Sequence, residues 1–217
     1  RQYGLEVNVF RGDMMLPHQL YKGQANTADM FIRLIYSIIH TGLAPYSFFA
    51  LNDDGTKVRG HYDGLPVDVV ATCVVGVDNS QTQYRTYNIE NYHRNDGISL
   101  DTFVDWIEEA GHPVSRITDY QEWFKAFKQA HGQLLEDQQK HSVLEIIDAF
   151  AIPQFTDAGA MGCDHFQHLV DGLLSASELP HLTQNYIEKC LQDMSLLSLI
   201  APVTDSRSET KTITYSE

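Results

Sequence analysis

The spacing of apolar positions changes several times along the chain, and each change predicts an element. Leu5, Val7 and Val9 alternate with Glu6, Asn8 and Phe10, the period of two expected of a strand with both faces partly covered. Arg11-Gly12-Asp13 follows as a tight turn, with Gly12 predicted to break the strand. Over residues 28–40 the period lengthens. Met30, Phe31, Leu34, Ile35, Ile38 and Ile39 share one helical face, with Thr27 placed to cap the start and Gly42 just past the end. Residues 47–51 and 57–61 flank Asn52-Asp53-Asp54-Gly55, which predicts a hairpin turning on the Asp-Gly pair. Pro66 opens a second helical stripe through Val67, Val70, Ala71, Val74 and Val75. Residues 84–89 read as a strand. Ser99 then caps a helix that turns Leu100, Phe103, Val104 and Ile107 inward, with Asp101 in its first turn and Gly111-His112-Pro113 at its stop.

The second half is mostly helical in pattern. Asp119 is placed to cap a helix with Tyr120, Trp123, Phe124 and Phe127 on one face, and these aromatics read as core. Further helices are predicted over 142–150, 164–174 and 183–194, punctuated by Pro153, Pro180 and Pro202. The tail beyond Pro202 is polar and rich in Ser and Thr, so it is predicted to be poorly ordered. Strands alternating with helices, then helices alone, place the chain in the α/β class.

Composition narrows the partners. The chain has 217 residues, 43% of them hydrophobic and 20% charged, as expected of a globular protein with a sizeable core. Fifteen basic residues against 29 acidic ones give a formal charge of −14. Such a surface repels phosphate backbones and anionic membranes, so neither nucleic acid nor membrane is expected as a partner. Cys73, Cys163 and Cys190 are scattered and form no C-x-x-C pair, which points to reduced thiols and a cytoplasmic location. No apolar run approaches the ~20 residues that span a bilayer.

The search for chemistry is mostly negative. The chain contains no G-x-G-x-x-G or G-x-x-x-x-G-K loop to cradle phosphate, no Tyr-x-x-x-Lys pair, no G-x-S-x-G elbow and no H-E-x-x-H. Asp164 and His168 would share a helix face in Cys163-Asp164-His165-Phe166-Gln167-His168, but a structural zinc needs four ligands. No metal site is expected. Asp13, just after a buried strand, reads either as a turn residue or as a group facing the ligand crevice at the carboxyl edge of a sheet. In His61-Tyr62-Asp63-Gly64-Leu65-Pro66, Asp63 reads as the cap of the following helix and Tyr62 as a packing residue.

Taken in order, several of these segments resemble one family. Val7-Asn8-Val9-Phe10-Arg11-Gly12-Asp13-Met14-Met15 looks like the sixth core strand of an extended short-chain reductase and the loop beyond it. Tyr21-Lys22-Gly23-Gln24-Ala25-Asn26 and Asp29-Met30-Phe31-Ile32-Arg33-Leu34 are similar to the stretch entering the first lid helix. His61-Tyr62-Asp63-Gly64-Leu65-Pro66-Val67-Asp68 resembles the re-entry into the nucleotide-binding core. Asp96-Gly97-Ile98-Ser99-Leu100-Asp101 and Asp119-Tyr120-Gln121-Glu122-Trp123-Phe124 are the most specific pieces. Over about residues 3–150 the chain resembles the C-terminal part of a thioester reductase domain of the carboxylic acid reductase type.

That resemblance implies a partial Rossmann-type sheet with a mainly helical, substrate-binding lid subdomain. Residues 1–95 would end the core with a lid insertion and hairpin, 96–202 would form the helical portion, and 203–217 a flexible tail. It implies NADPH as cofactor and an acyl or peptidyl carrier domain, with its phosphopantetheine arm, as partner. Hydride addition to the carrier-bound thioester would yield an aldehyde and a free thiol. Arg11, Gly12, Asp13 and Met14 would border the nicotinamide, with Asp13 as a modulator of the chemistry, and Gln24 and Asn26 would line the substrate entrance. The family's glycine-rich loop and Tyr-x-x-x-Lys pair lie upstream of the segment matched here. The chain is therefore expected to be catalytically incomplete alone and to need an upstream nucleotide-binding half. Two alternatives stay open: a non-catalytic module that docks acyl-carrier proteins, and a remnant of another extended short-chain enzyme such as a sugar-nucleotide epimerase.

Overall fold

Three parallel strand pairs make up the β-structure among the described residues, which in this computed structural model are 7–77, 84–155, 162–173 and 179–202. β1 (Asn8–Gly12) pairs with β5 (Arg85–Ile89), β2 (Met15–Leu16) with β4 (Leu65–Pro66), and β3 (Leu43–Pro45) with β6 (Ser115–Ile117). Parallel neighbours need long crossovers. Here α1 (Met30–Thr41) and α2 (Val67–Val75) lie within them, and α3 (Leu100–Glu109) within the third. α4 (Tyr120–His131), α5 (Glu136–His141), a 3-10 segment (Leu144–Phe150), α6 (Asp164–Leu173) and α7 (Gln184–Leu196) complete the chain. The class is α/β, as the sequence predicts.

Most predicted elements are present, with five corrections. α2 forms where expected but turns a different face inward: Val69, Val70 and Cys73 are buried against α6 and the β2–β4 pair, while Val67, Ala71, Val74 and Val75 of the predicted stripe are exposed. The first strand does not break at Gly12: Arg11 and Gly12 continue the ladder opposite Asn88 and Ile89. Gly12 keeps a negative φ and stays in the pleat, so the turn falls at Asp13, whose N–H donates to the Ile89 carbonyl at 3.2 Å.

The cap of α1 is Asp29, not Thr27; its carboxylate accepts the Phe31 N–H at 2.8 Å. At the other end Gly42 takes the left-handed conformation (φ 64°), and its N–H donates to the Ile38 carbonyl at 2.8 Å, closing the helix as expected.

The hairpin over 47–61 does not form. The turn at Asn52 is present, with Gly55 N–H donating to its carbonyl at 2.8 Å. The arms, however, pair with more distant chain. Phe49 bridges Gln154 in parallel, and Phe48 donates its N–H to Asp101. A good local turn loses to long-range partners that bury Phe48 and Phe49.

The helix predicted over 142–150 is a 3-10 segment broken at Ile146 (φ −119°, ψ 15°), preceded by α5. Ser142 closes α5 and separates it from the 3-10 segment. Its hydroxyl donates to the Gln139 carbonyl at 2.8 Å and accepts the Leu144 N–H at 3.1 Å, competing with helical bonds. Residues 1–6, the end of the predicted 164–174 helix and the tail at 203–217 lie outside the described residues.

Two apolar clusters hold these elements. The larger gathers Phe31 and Ile35 of α1, Phe103 and Ile107 of α3, Trp123 and Phe127 of α4, and Ile187 and Leu191 of α7. The smaller packs Leu65, Val70, Cys73, Tyr87 and Ile89 against Phe166 and Val170 of α6. Each such fully buried side chain stabilises the fold by about 1.5–3 kcal/mol. α1 buries more than its predicted stripe, including Ile32, Tyr36 and Ser37, because it touches α4, α5 and β3. Among the described residues no helix is long and apolar enough to cross a membrane.

Candidate functional site at the carboxyl edge of the paired strands

β1 and β5 run parallel, so Gly12 and Ile89 end at the same edge. In parallel α/β sheets this is the edge where ligands gather. Arg11, Gly12 and Asp13 are exposed there and Met14 is half-buried. The Met14 carbonyl accepts the Leu65 N–H at 3.0 Å, which draws the start of β4 against the loop after β1.

Acidic groups converge on this edge around Tyr62. The Tyr62 ring is buried, edge-on to Phe103 (4.9 Å between centroids) and tilted against Phe31 (5.8 Å). Its phenol is pushed well above the ordinary tyrosine value, by burial first and then by the charges of Asp29, Asp13 and Asp63. It therefore stays protonated. Desolvation, then Asp63, raises the Asp13 carboxyl above the usual carboxylate range, against the Met14 N–H, which lowers it. Asp63 is also raised, by burial and by Glu90, with His61 and Arg94 working in the opposite direction. Burial raises Asp29 despite its capping bond to Phe31. Burial thus raises three carboxyls around one buried phenol at this edge.

Asn91 fixes the geometry. It is fully buried just beyond β5. Its N–H donates to the Asp63 carbonyl at 2.8 Å and its Nδ2 to the Tyr62 carbonyl at 3.2 Å. Its own carbonyl lies 2.7 Å from His61 Nε2. The 61–63 segment is thereby stitched to the end of β5. Asp63 does not cap α2 as predicted. Pro66 occupies the cap position without a side-chain bond, and Asp63 faces His61 Nε2 at 3.4 Å. His61 Nδ1 lies 3.6 Å from Asp96, which also meets His181 at 3.3 Å.

The structure brings Asp13 to Asp63 and Tyr62, but neither Gln24 nor Asn26 hydrogen-bonds Asp13 among the described residues. Both are exposed on the connection from β2 to α1. Asn26 Oδ1 accepts the Ala28 N–H at 3.3 Å and its carbonyl accepts the Asp29 N–H at 3.0 Å, so it shapes the entry to α1. Tyr62, Asn91 and Asp29 were not among the sequence-predicted site residues. Nothing in the local sequence around them singles them out as site residues. Asp164 and His168 are exposed on α6, and no group of three or more His, Cys, Asp or Glu among the described residues is placed to hold a metal.

No protein-family model matches the chain. Individual proteins do. A carboxylic acid reductase of Segniliparus rugosus is 43% identical over 202 residues, 91% of this chain and 17% of that protein. A carboxylic acid reductase of Mycobacterium marinum is 38% identical over 201 residues, again 91% of this chain and 17% of the relative. The crystal structure of a reductase (R) domain of a nonribosomal peptide synthetase from Mycobacterium tuberculosis superposes with a TM-score of 0.82 at 35% identity, covering 90% of this chain and 47% of that one. The chain thus spans about a sixth of these curated relatives and about half of the solved domain. By sequence it is homologous to a portion of carboxylic acid reductases, and by sequence and fold to a portion of a reductase domain of a nonribosomal peptide synthetase.

Proposed function

We propose that this chain is the substrate-facing portion of an NADPH-dependent reductase that converts carrier-bound acyl thioesters to aldehydes. It is catalytically incomplete within these 217 residues and works with a nucleotide-binding half outside them. The observation that carries this reading is the likeness to a solved reductase domain, 35% identical with a TM-score of 0.82 over 90% of the chain.

The carboxyl edge suits a bordering role toward the cofactor rather than a cradling one. No glycine-rich loop is present to hold its phosphates. Arg11, Gly12 and Asp13 nevertheless stand exposed where the strands end, and Gly12 offers only backbone to an approaching ring. When bound, NADPH supplies the hydride for the thioester carbonyl. Arg11, Gly12, Asp13 and Met14 border the nicotinamide. Asp13, its carboxyl raised by burial and by Asp63, presents a hydrogen-bonding group there. Burial and the charge of Asp63 hold Asp13 in that electrostatic state. Gln24 and Asn26 line the way in for the phosphopantetheine arm of an acyl or peptidyl carrier domain. Burial pushes the Cys73 thiol up to about 11 and Cys190 up to about 12, so neither is a nucleophile in this scheme. Such free thiols suit a cytoplasmic enzyme.

The test joins the chain to the upstream half of its reductase domain and follows NADPH oxidation and aldehyde formation on an acyl-phosphopantetheinyl carrier. The reading expects turnover by the joined protein and none by the chain alone. Carrier binding without NADPH binding or turnover would replace it with the docking-module reading. Turnover of a nucleotide sugar instead would replace it with the epimerase reading.

A further inference from the structure

The connection from β2 to α1, residues 17–29, carries the two proposed entrance residues, yet it has no regular structure. It is nevertheless pinned along most of its length, chiefly by α7, which follows it by about 160 residues. Three side chains on one side of α7 reach it in succession. The Tyr186 hydroxyl donates to the Pro17 carbonyl at 2.6 Å. The Lys189 ammonium donates to the His18 carbonyl. Asp193 Oδ1 accepts the Gly23 N–H at 2.7 Å, and its Oδ2 takes the Lys189 ammonium. Positions 186, 189 and 193 follow the i, i+3, i+7 spacing of a single helix face.

Asp193 is the unusual member. It is 0% exposed and charged, in a helix whose neighbours Ile187, Cys190, Leu191 and Met194 are all buried apolar groups. A carboxylate so placed survives only with its partners in position. Its partners are Lys189 and the backbone of Gly23, immediately before Gln24. The other end of the connection is fixed separately, by Asn26 and Asp29 at the start of α1. A further tie joins Gln19 to Asp68 of α2, through Gln19 N at 3.1 Å and Nε2 at 2.8 Å. Exposed Gln24 is therefore held between two anchors, Gly23 and Asn26, and the anchor at Gly23 is a buried charge.

We infer that Asp193 is a positioning residue for the substrate entrance: through Gly23 and Lys189 it sets where Gln24 and Asn26 stand, and so how tightly the acyl-pantetheine arm is held. This rests on the reductase reading for the identity of the ligand, but the clamp itself does not.

The experiment uses the complete reductase domain and compares Asp193→Ala, Asp193→Asn and Ile187→Ala. Asn keeps an oxygen for the Gly23 N–H but puts an NH2 donor where Oδ2 accepts the Lys189 ammonium, so it retains one of the two contacts. Ile187 is fully buried on the same helix and has no bond to the connection, so its truncation reports general destabilisation. The expected result is an increase of about tenfold or more in KM for the acyl-pantetheine substrate with Asp193→Ala, the KM for NADPH staying within about twofold. Part of that loss should be recovered by Asp193→Asn through the Gly23 contact, with no KM change in Ile187→Ala. Amide hydrogen exchange over residues 18–26 should accelerate in Asp193→Ala alone. Unchanged exchange there, or equal acceleration in Ile187→Ala, would overturn the clamp. Faster exchange with an unchanged substrate KM would overturn its role at the entrance. If the wild-type domain reduces no thioester, the reductase reading fails while the exchange data still decide the clamp.

Discussion

Asp101 and Phe48 are joined across 53 residues: the Asp101 carboxylate, in the first turn of α3, accepts the Phe48 N–H at 2.8 Å in a buried setting. The Asp101 carbonyl receives Arg116 Nη2 at 3.2 Å. That arginine also bonds Glu108 at 2.9 Å and reaches the Pro45 carbonyl at 3.4 Å. Asp101 thus ties the Phe48–Phe49 segment to α3 and, through Arg116, to β3 and β6. Asp101→Ala leaves the Phe48 N–H buried without an acceptor, a loss of about 2–3 kcal/mol. That corresponds to a fall in Tm of about 4–10 °C for a chain of this size. Asp101→Asn keeps an acceptor and should stay within about 1 kcal/mol of wild type. Thermal unfolding of the two variants checks the difference. Equal losses would show that the charge, not the hydrogen bond, matters.

Asp13 should behave in the opposite way. Its folded carboxyl is raised, so its ionisation opposes folding. A raised folded value means that its favourable contribution is present below the ordinary value of 3.8 and is lost as pH rises through the folded value. Asp13→Asn should therefore raise Tm at pH 7, by about 1 °C once solvent screening of this exposed group is allowed for, and lose that advantage below pH ~3.8. In the complete reductase, Asp13→Ala should lower the rate per folded molecule or shift the product distribution more than Asp101→Ala does, by about tenfold or more. Small, equal effects from both would remove Asp13 from the site.

His131 gives the fold an acid sensitivity. Its ring is buried against Phe127, with Nδ1 donating to the Phe127 carbonyl at 2.7 Å and Nε2 buried without a partner. Burial lowers its tendency to take a proton, and the Phe127 bond only partly offsets this. For a base depressed on folding, the stabilising contribution is complete above the unfolded value of 6.5 and is lost as pH falls toward the folded one. Burial moves His112 in the same direction. Denaturant midpoints should therefore decline from pH 7 to pH 5 in wild type and decline less in His131→Leu. Parallel slopes would place the sensitivity at His112 or elsewhere.

How much of this was legible in the sequence depended on how far each residue's partner lies along the chain. α1, α3 and α4 could be read because their apolar stripes and end residues are local signals, whereas α2 was placed along the chain but its buried face, Val69, Val70 and Cys73, was not the stripe the spacing predicted. Ser99 and Asp119 sit at the expected caps, and Gly42 at the expected stop. The failures involve residues with two competing partners. Ser142 looked like a helix start but closes α5, its hydroxyl bonding Gln139 on one side and Leu144 on the other. Phe48 and Phe49 looked like a hairpin arm but belong to Asp101 and Gln154. At the candidate site, Asp13 could be singled out because a turn follows a strand there. Tyr62, Asp29 and Asn91 could not, because nothing local distinguishes a tyrosine that packs from one that gathers three carboxyls. Asp193 was invisible for the same reason, since its partner Gly23 lies 170 residues away.

Gly64 tests whether the edge around Tyr62 needs its present closeness. A Cβ there would stand 2.5 Å from Tyr62 Cε1 and 3.2 Å from both the Cβ and the carbonyl oxygen of Met14. Only a residue without a side chain lets the loop after β1 close on β4 beside the phenol. Gly64→Ala should lose about 1–3 kcal/mol through overpacking and lower turnover of the complete reductase by moving Tyr62 or Met14. Gly162→Ala, where an added Cβ meets nothing within 4 Å, is the control and should stay within about 0.5 kcal/mol. A double-mutant cycle identifies the obstacle. If the ring is what the new methyl strikes, Gly64→Ala made in a Tyr62→Val background costs much less than in wild type, and the two changes are strongly non-additive. If the cost is the same in both backgrounds, the Met14 backbone is the obstacle, and the glycine serves the β2–β4 pairing rather than the phenol.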